Sequence, residues 1–314
     1  MKPADAVFGL FLREIINSCQ KSSTPFPANI NCIMFIEINK KRWKKAGAGL
    51  LAAALAVGAA GGYRVINPGE AKTISEDTAV NADVQTDWGL SFQEPGKPPA
   101  ANASASELSE YNAYYCGDSA EKVLYLTFDA GFENGYTEEI LNVLKSEKVP
   151  AAFFLVGTYM EENPELLKRM EREGHIVGNH TMNHPDMSAI AEEDDFRREL
   201  EETEKVYKKV TGKKMQKFYR PPQGKFSRNN LKQAQKLGYT TVFWSLAYVD
   251  WYVDRQPGRE EALEKLIPRS HNGAVILLHS TSKTNAKILK ELIQRWKEQG
   301  YTFGSLEDLT VAKS

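Results

Sequence analysis

Cysteine is scarce in this 314-residue chain. There are three, Cys19, Cys32 and Cys116, too few for a disulfide framework or a cysteine-rich zinc centre. Neither charge sign dominates: 40 Lys and Arg stand against 41 Asp and Glu, a net charge of −1. Without a global basic field, nucleic acid is not an expected partner. No G-x-G-x-x-G and no phosphate loop follows any strand-like run, which argues against a nucleotide-binding Rossmann domain. Long apolar runs are missing too, with one exception. Ala46 to Gly62 carries no charge, but its 17 residues fall short of the roughly 20 that usually span a bilayer.

That run is preceded by the basic block Lys40-Lys41-Arg42-Trp43-Lys44-Lys45. A basic stretch followed by a short apolar one is the pattern of an export signal or signal-anchor. Residues 1–62 are therefore expected to be an N-terminal extension and signal, with translation starting at Met34. No cysteine follows it directly, which argues against a lipoprotein anchor. Membrane contact is expected only through this segment, and the rest of the chain outside the cytoplasm. Residues 63–108 are rich in Ala, Ser, Pro, Glu and Asp and read as a linker or arm, with Trp88, Leu90 and Phe92 able to dock onto a domain. Residues 109–312 form that domain. With 42% apolar residues overall, the chain can bury a substantial core.

Strand-like and helix-like periods alternate across the domain. Buried-strand runs are Val123 to Phe128, Ala151 to Val156, Ile176–Val177, Lys217 to Tyr219, Thr240 to Trp244, Ala274 to Leu278 and Tyr301 to Phe303. Helical patterns begin at Thr137 and at Asn163-Pro164, and cover 191–210, 228–237, 259–267 and 285–299. Alternating β and α with short links predicts an α/β fold on a parallel sheet. Polar residues collect at the C-terminal ends of the strands, which favours a closed or partly closed barrel over an open sheet.

Five segments carry the candidate chemistry. Thr127-Phe128-Asp129-Ala130-Gly131 ends the first long strand and offers Asp129 as a general base; an Asp before Gly is also an ordinary turn residue. His180-Thr181-Met182-Asn183-His184 spaces two imidazoles i, i+4. On a helical turn that spacing serves one metal ion. Arg220-Pro221-Pro222-Gln223-Gly224 offers an arginine able to hold Asp129 through a bidentate pair. Asp250-Trp251 and the final His279 of Leu277-Leu278-His279 offer a carboxylate that favours the charged form of a histidine, as a general acid requires. Trp251, Trp244 and Tyr248 supply flat apolar surface suited to a sugar ring. The acidic stretches Glu192 to Asp195 and Glu199 to Glu204 read as a solvated helix face.

Together these segments, in this order, resemble the polysaccharide deacetylases of the NodB-homology class, carbohydrate esterase family 4, over about residues 109–309. The resemblance implies a distorted seven-stranded (β/α) barrel. It implies that Asp129 is the catalytic base, His180 and His184 metal ligands, and Arg220 the group that orients the base. Asp250 would tune His279, the general acid, and the Gln223 backbone N–H would be an oxyanion donor. Ala130 departs from the family pattern, which has an aspartate there as third ligand. A divalent metal, zinc or similar, is then expected to be held weakly. The stretches Trp88 to Phe92, Phe128 to Tyr136, Trp244 to Trp251 and Leu278 to Ser282 resemble the branch acting on N-acetylmuramic acid. That branch implies a peptidoglycan strand as partner, muramic δ-lactam in spore cortex as product, and a spore-forming Firmicute as source. Rival readings are a deacetylase of another GlcNAc-containing polysaccharide, a glycosidase pairing Asp129 with Glu133 or Asp250, and a non-catalytic glycan-binding barrel.

Overall fold

A computed structural model describes residues 84–309. The expected signal segment, the first part of the arm and the C-terminal residues 310–312 lie outside these described residues. Among the described residues, no helix is long and apolar enough to cross a membrane.

The central strand β5 (Val123–Ala130) shows how the sequence builds the domain. Its side chains alternate between two faces. Leu124, Leu126, Phe128 and Ala130 join a large apolar cluster with Ile140, Leu141, Leu289 and Trp296. Those partners lie on α2 (Thr137–Glu147) and α8 (Lys283–Glu298). Tyr125 takes the other face and joins Phe154, Phe218, Val242 and Val275, one residue from each of four other strands. Thr127 and Asp129 follow Tyr125 by alternation, so Asp129 ends on this inner face.

Before β5 come β1 (Thr86–Asp87), β2 (Leu90–Ser91), β3 (Ala100–Ala101), α1 (Ala105–Ser109) and β4 (Ala113–Tyr114). After α2 the chain forms β6 (Ala152–Leu155), α3 (Gly157–Glu162), α4 (Pro164–Arg172), β7 (Ile176–Asn179) and α5 (Glu193–Thr211). Then follow β8 (Phe218–Tyr219), β9 (Lys225–Phe226), α6 (Arg228–Lys236), β10 (Thr240–Val242) and α7 (Arg259–Leu266). After β11 (Val275–His279) and α8 come β12 (Thr302–Phe303) and α9 (Leu306–Leu309).

The main sheet has eight strands in the order β11-β5-β6-β7-β8-β10-β4, with β12 also on β5. Every pair in it is parallel. The two ends of the curl meet through two bridges, Cys116 to Ala274 and Leu246 to Ile276, and Leu277 N–H donates to the Leu246 carbonyl at 2.9 Å. The register sets Asp129 directly opposite His279.

Two local readings change and one gains an element. Asn163-Pro164 opens a helix as expected, but it is not the first of its connection. A short α3 precedes it, because the chain turns helical straight after β6, and Pro164 starts a second helix where it lacks an N–H to donate. The strand expected over Thr240 to Trp244 stops at Val242, since the chain must cross there toward β11. Residues 84–108 are folded onto the domain rather than trailing from it. Trp88 is buried and stacks on Phe243, with ring centroids 4.5 Å apart.

Candidate active site

Asp129, His180, His184, Gln223, Trp244, Trp251 and His279 line one cavity of about 650 Å³ at the C-terminal end of the sheet. That volume suits a small ligand or one sugar unit with its substituents.

Asp129 is buried, and its Oδ1 accepts from Arg220 Nη1 at 2.7 Å. The expected bidentate pair does not form, because the guanidinium has other work. Arg220 Nε donates to the Val242 carbonyl at 2.9 Å and Nη2 to the Phe243 carbonyl at 3.3 Å. The guanidinium also lies 4.1 Å from the Phe154 ring centroid. Arg220 is fully buried, so it is fixed by sheet ends and an aromatic face, and aims one N–H at Asp129. Burial pushes the Asp129 carboxyl up, but Arg220, His180 and His279 pull it further down, below the usual carboxylate range. Asp129 is therefore ionised at neutral pH.

His279 faces it from β11. Its Nδ1 is 2.7 Å from Asp250 Oδ1, and its backbone N–H donates to Asp250 Oδ2 at 2.8 Å. Burial disfavours the imidazolium, yet the Asp250 charge and hydrogen bond outweigh it, so the His279 pKa is raised. With Nδ1 committed to Asp250, Nε2 is the nitrogen left for chemistry. The Trp251 ring lies 5.7 Å from the imidazole, centroid to centroid, and is 45% exposed, open to a ligand on its other side.

The histidine pair is not on a helical turn. His180 follows β7 directly, and the loop reaches His184 through left-handed backbone at Thr181 (φ 69°) and at His184 (φ 57°). The Thr181 hydroxyl accepts from His184 N–H at 2.9 Å. This path, not helical spacing, brings the rings within 4.9 Å of each other. His180 Nδ1 is 2.8 Å from the Arg220 carbonyl and must donate to it, which leaves the Nε2 lone pair on the Asp129 side, 3.6 Å from Oδ2. Burial lowers the His180 pKa to about 4 and lowers that of His184 as well. Both are neutral imidazoles at physiological pH, the form that ligates zinc. The donor set therefore fits a divalent cation through two nitrogens. Among the described residues no group of three His, Cys, Asp or Glu could hold one. Ala130 is buried with the helix-side cluster, and its methyl has no donor to add.

Gln223 lies in left-handed backbone (φ 59°) and is exposed at the cavity. The arm supports its loop from behind. Trp88 N–H donates to the Gly224 carbonyl at 3.0 Å, and Trp88 Nε1 to the Trp244 carbonyl at 2.9 Å. Residue 224 has to be glycine. Its φ is +69°, and a Cβ there would stand 2.7 Å from the Trp244 ring.

One polar residue escaped the sequence reading. Asn285 donates to Asp250 Oδ2 at 2.5 Å and to the His279 carbonyl at 3.1 Å. The signal was present: Ser282 caps α8, and Asn285 sits three residues on, just past the strand that ends in His279. Glu133, a partner in the glycosidase reading, spends its carboxylate elsewhere. It accepts from Gly135 N–H at 2.6 Å, Tyr136 N–H at 3.0 Å and the Tyr159 hydroxyl at 3.0 Å. Asp250 is equally committed to His279, so neither carboxylate of the glycosidase reading is free to pair with Asp129.

Residues 117–242 match the profile of the polysaccharide deacetylase family. The chain is 44% identical over 227 residues to the peptidoglycan-N-acetylmuramic acid deacetylase PdaA of Bacillus subtilis, covering 72% of this chain and 86% of that one. A peptidoglycan-N-acetylglucosamine deacetylase of Bacillus cereus is 33% identical over 208 residues, 65% of this chain and 74% of that one. The solved structure of B. subtilis PdaA, a family 4 carbohydrate esterase, superposes with a TM-score of 0.70 at 42% identity. It covers 74% of this chain and 99% of that one. The chain belongs to the polysaccharide deacetylase family, carbohydrate esterase family 4, and is a deacetylase.

Proposed function

We propose that the enzyme hydrolyses the N-acetyl group of N-acetylmuramic acid in peptidoglycan. The observation that carries this is the apposition of Asp129 and His279. They stand side by side in register on neighbouring strands and line one cavity, one carboxyl held down by Arg220 and one imidazole held up by Asp250. Two titratable groups pushed in opposite directions divide into a base and an acid.

Asp129 takes a proton from water as the water oxygen attacks the acetyl carbonyl. The carbonyl oxygen becomes an oxyanion, and the backbone N–H of Gln223 donates to it. His279 Nε2–H protonates the amine nitrogen as the C–N bond breaks, and acetate leaves. Arg220 keeps Asp129 aimed throughout. A divalent ion bound to His180 and His184 would supply Lewis-acid polarisation of the carbonyl. Trp251 and Trp244 offer apolar faces for the sugar ring.

The muramic acid assignment is supported by the likeness to the B. subtilis enzyme, which is greater than to the N-acetylglucosamine enzyme of B. cereus. In muramic acid the freed amine lies beside the lactyl carboxyl. With the peptide stem removed, closure to the δ-lactam is intramolecular and favoured by proximity, as spore cortex would require. Work on that polymer places the domain outside the cytoplasmic membrane, in keeping with the basic–apolar pattern at residues 40–62. The arm and the domain at 109–312 are proposed to act as one unit.

Peptidoglycan fragments with and without peptide stems, incubated with the protein and read by mass spectrometry, test the assignment. Loss of acetyl from muramic residues of stem-free fragments is the expected result. Loss from glucosamine residues alone would reassign the substrate, and release of reducing ends without acetate would reassign the chemistry.

A further inference from the structure

We propose that Glu199 is a positioning residue for the histidine pair. In sequence it heads an acidic run that reads as solvated helix surface. The other acids of that run each pair with a basic side chain, and Glu204 also accepts from the buried Tyr239 hydroxyl. Glu201 pairs with Arg197, Glu202 with Lys205 and Glu204 with Lys217. Glu199 is the exception. Among the described residues no lysine, arginine or histidine forms an ion pair with it. Its carboxylate turns instead to the loop between His180 and His184. Oε2 accepts from the backbone N–H of Asn183 at 3.0 Å and, at 3.1 Å, from that of Met182, which the Glu199 main-chain carbonyl shares at 3.1 Å. Oε1 accepts from Asn183 Nδ2 at 2.9 Å.

That loop needs holding. It passes through two non-glycine residues in left-handed backbone, Thr181 and His184. Such residues are strained and persist only where the surroundings dictate them. One end is fixed by Asn179, whose Oδ1 accepts from Thr181 N–H at 2.8 Å. The far half, which carries His184, has the Glu199 carboxylate as its charged anchor. A carboxylate accepting three N–H bonds forms stronger links than neutral acceptors do. Glu199 reaches this place because it lies three residues after Phe196 and one before Leu200, both fully buried in the α5 face. It therefore sits at the edge of the packed face, beside the loop. Glu199 acts through His184. It fixes where that imidazole stands relative to His180, and with it the bite of the two nitrogens for a divalent ion. This rests on reading the pair as a ligand set.

The test uses the full chain with Glu199→Ala, Glu199→Gln and, as a control on the same helix, Glu202→Ala. Zinc is titrated calorimetrically into metal-free protein, and the histidine ring resonances are followed by NMR. Glu199→Ala should weaken zinc binding about tenfold or more, in line with the usual effect of groups that orient ligands. It should move the ring resonances of His184 and leave those of His279 in place. Glu199→Gln keeps one acceptor and should fall between, and Glu202→Ala should match the parent. A folded Glu199→Ala protein with parental zinc affinity and unmoved His184 resonances would overturn the proposal. If the parent itself takes up no zinc, the ligand reading fails. The positioning role is then decided by the NMR readout alone: a moved His184 supports it and an unmoved one refutes it.

Discussion

Asp250 holds His279 at two points, one carboxylate oxygen on the ring and the other on the backbone N–H of the same residue. The imidazole is thereby fixed in both position and tautomer, and its Nδ1 is removed from the chemistry. Asn285 ties the same carboxylate to the start of α8, so strand end, loop and helix meet at one buried charge.

The pH profile should report this contact. A general acid must be protonated, so activity falls as pH rises through the pKa of His279. Asp250 raises that pKa, and burial opposes it. In Asp250→Asn the charge is gone and burial prevails, so the alkaline limb of kcat/KM should move to lower pH. A limb that stays in place would mean that another group sets it.

Asp129→Asn should lower kcat for acetate release by about 10²–10⁴-fold, the usual contribution of a positioned base. The amide can still accept from Arg220, so the fold should survive. Retention of more than about a tenth of the parental rate would remove Asp129 from the role of base.

Arg220→Lys should be costly despite keeping the charge. An ammonium cannot reach Asp129, the Val242 carbonyl and the Phe243 carbonyl from one fixed plane. Leaving buried partners unpaired should cost roughly 3–5 kcal/mol, measurable as a lower urea midpoint, with activity falling alongside. A stability equal to that of the parent would show that the guanidinium network carries little of the fold.

Ala130→Asp places a carboxylate in a buried position among apolar neighbours. Unpaired, it is expensive. A cation shared with His180 and His184 would relieve that cost and add a third ligand. The variant should melt below the parent in chelator, recover with zinc, and bind zinc more tightly by calorimetry. If zinc neither restores the melting temperature nor binds more tightly, residue 130 does not reach the imidazoles.

The strands were legible because β5 and β11 are long apolar runs ending in Asp129 and His279, and a buried parallel strand has few other sequence forms. Arg220 was legible as a partner of Asp129, since both end strands on the same sheet. Its single-point geometry was not, because the competing acceptors are backbone carbonyls of Val242 and Phe243, which no sequence displays. The path from His180 to His184 was hidden for a similar reason. The i, i+4 spacing fits a helix, and only tertiary hydrogen bonds select the left-handed turns at Thr181 and His184. Asn285 went unseen because a side chain that serves another residue's carboxylate leaves only a faint local pattern.

The indole of Trp88 has a practical consequence for where this enzyme can be cut. It packs behind the loop that presents Gln223, 29 residues upstream of the point where the family profile begins to match. A truncation placed at that point keeps every residue proposed for the chemistry and removes the wall behind one of them. The working length of the enzyme is set by that contact, and not by the span of its motifs.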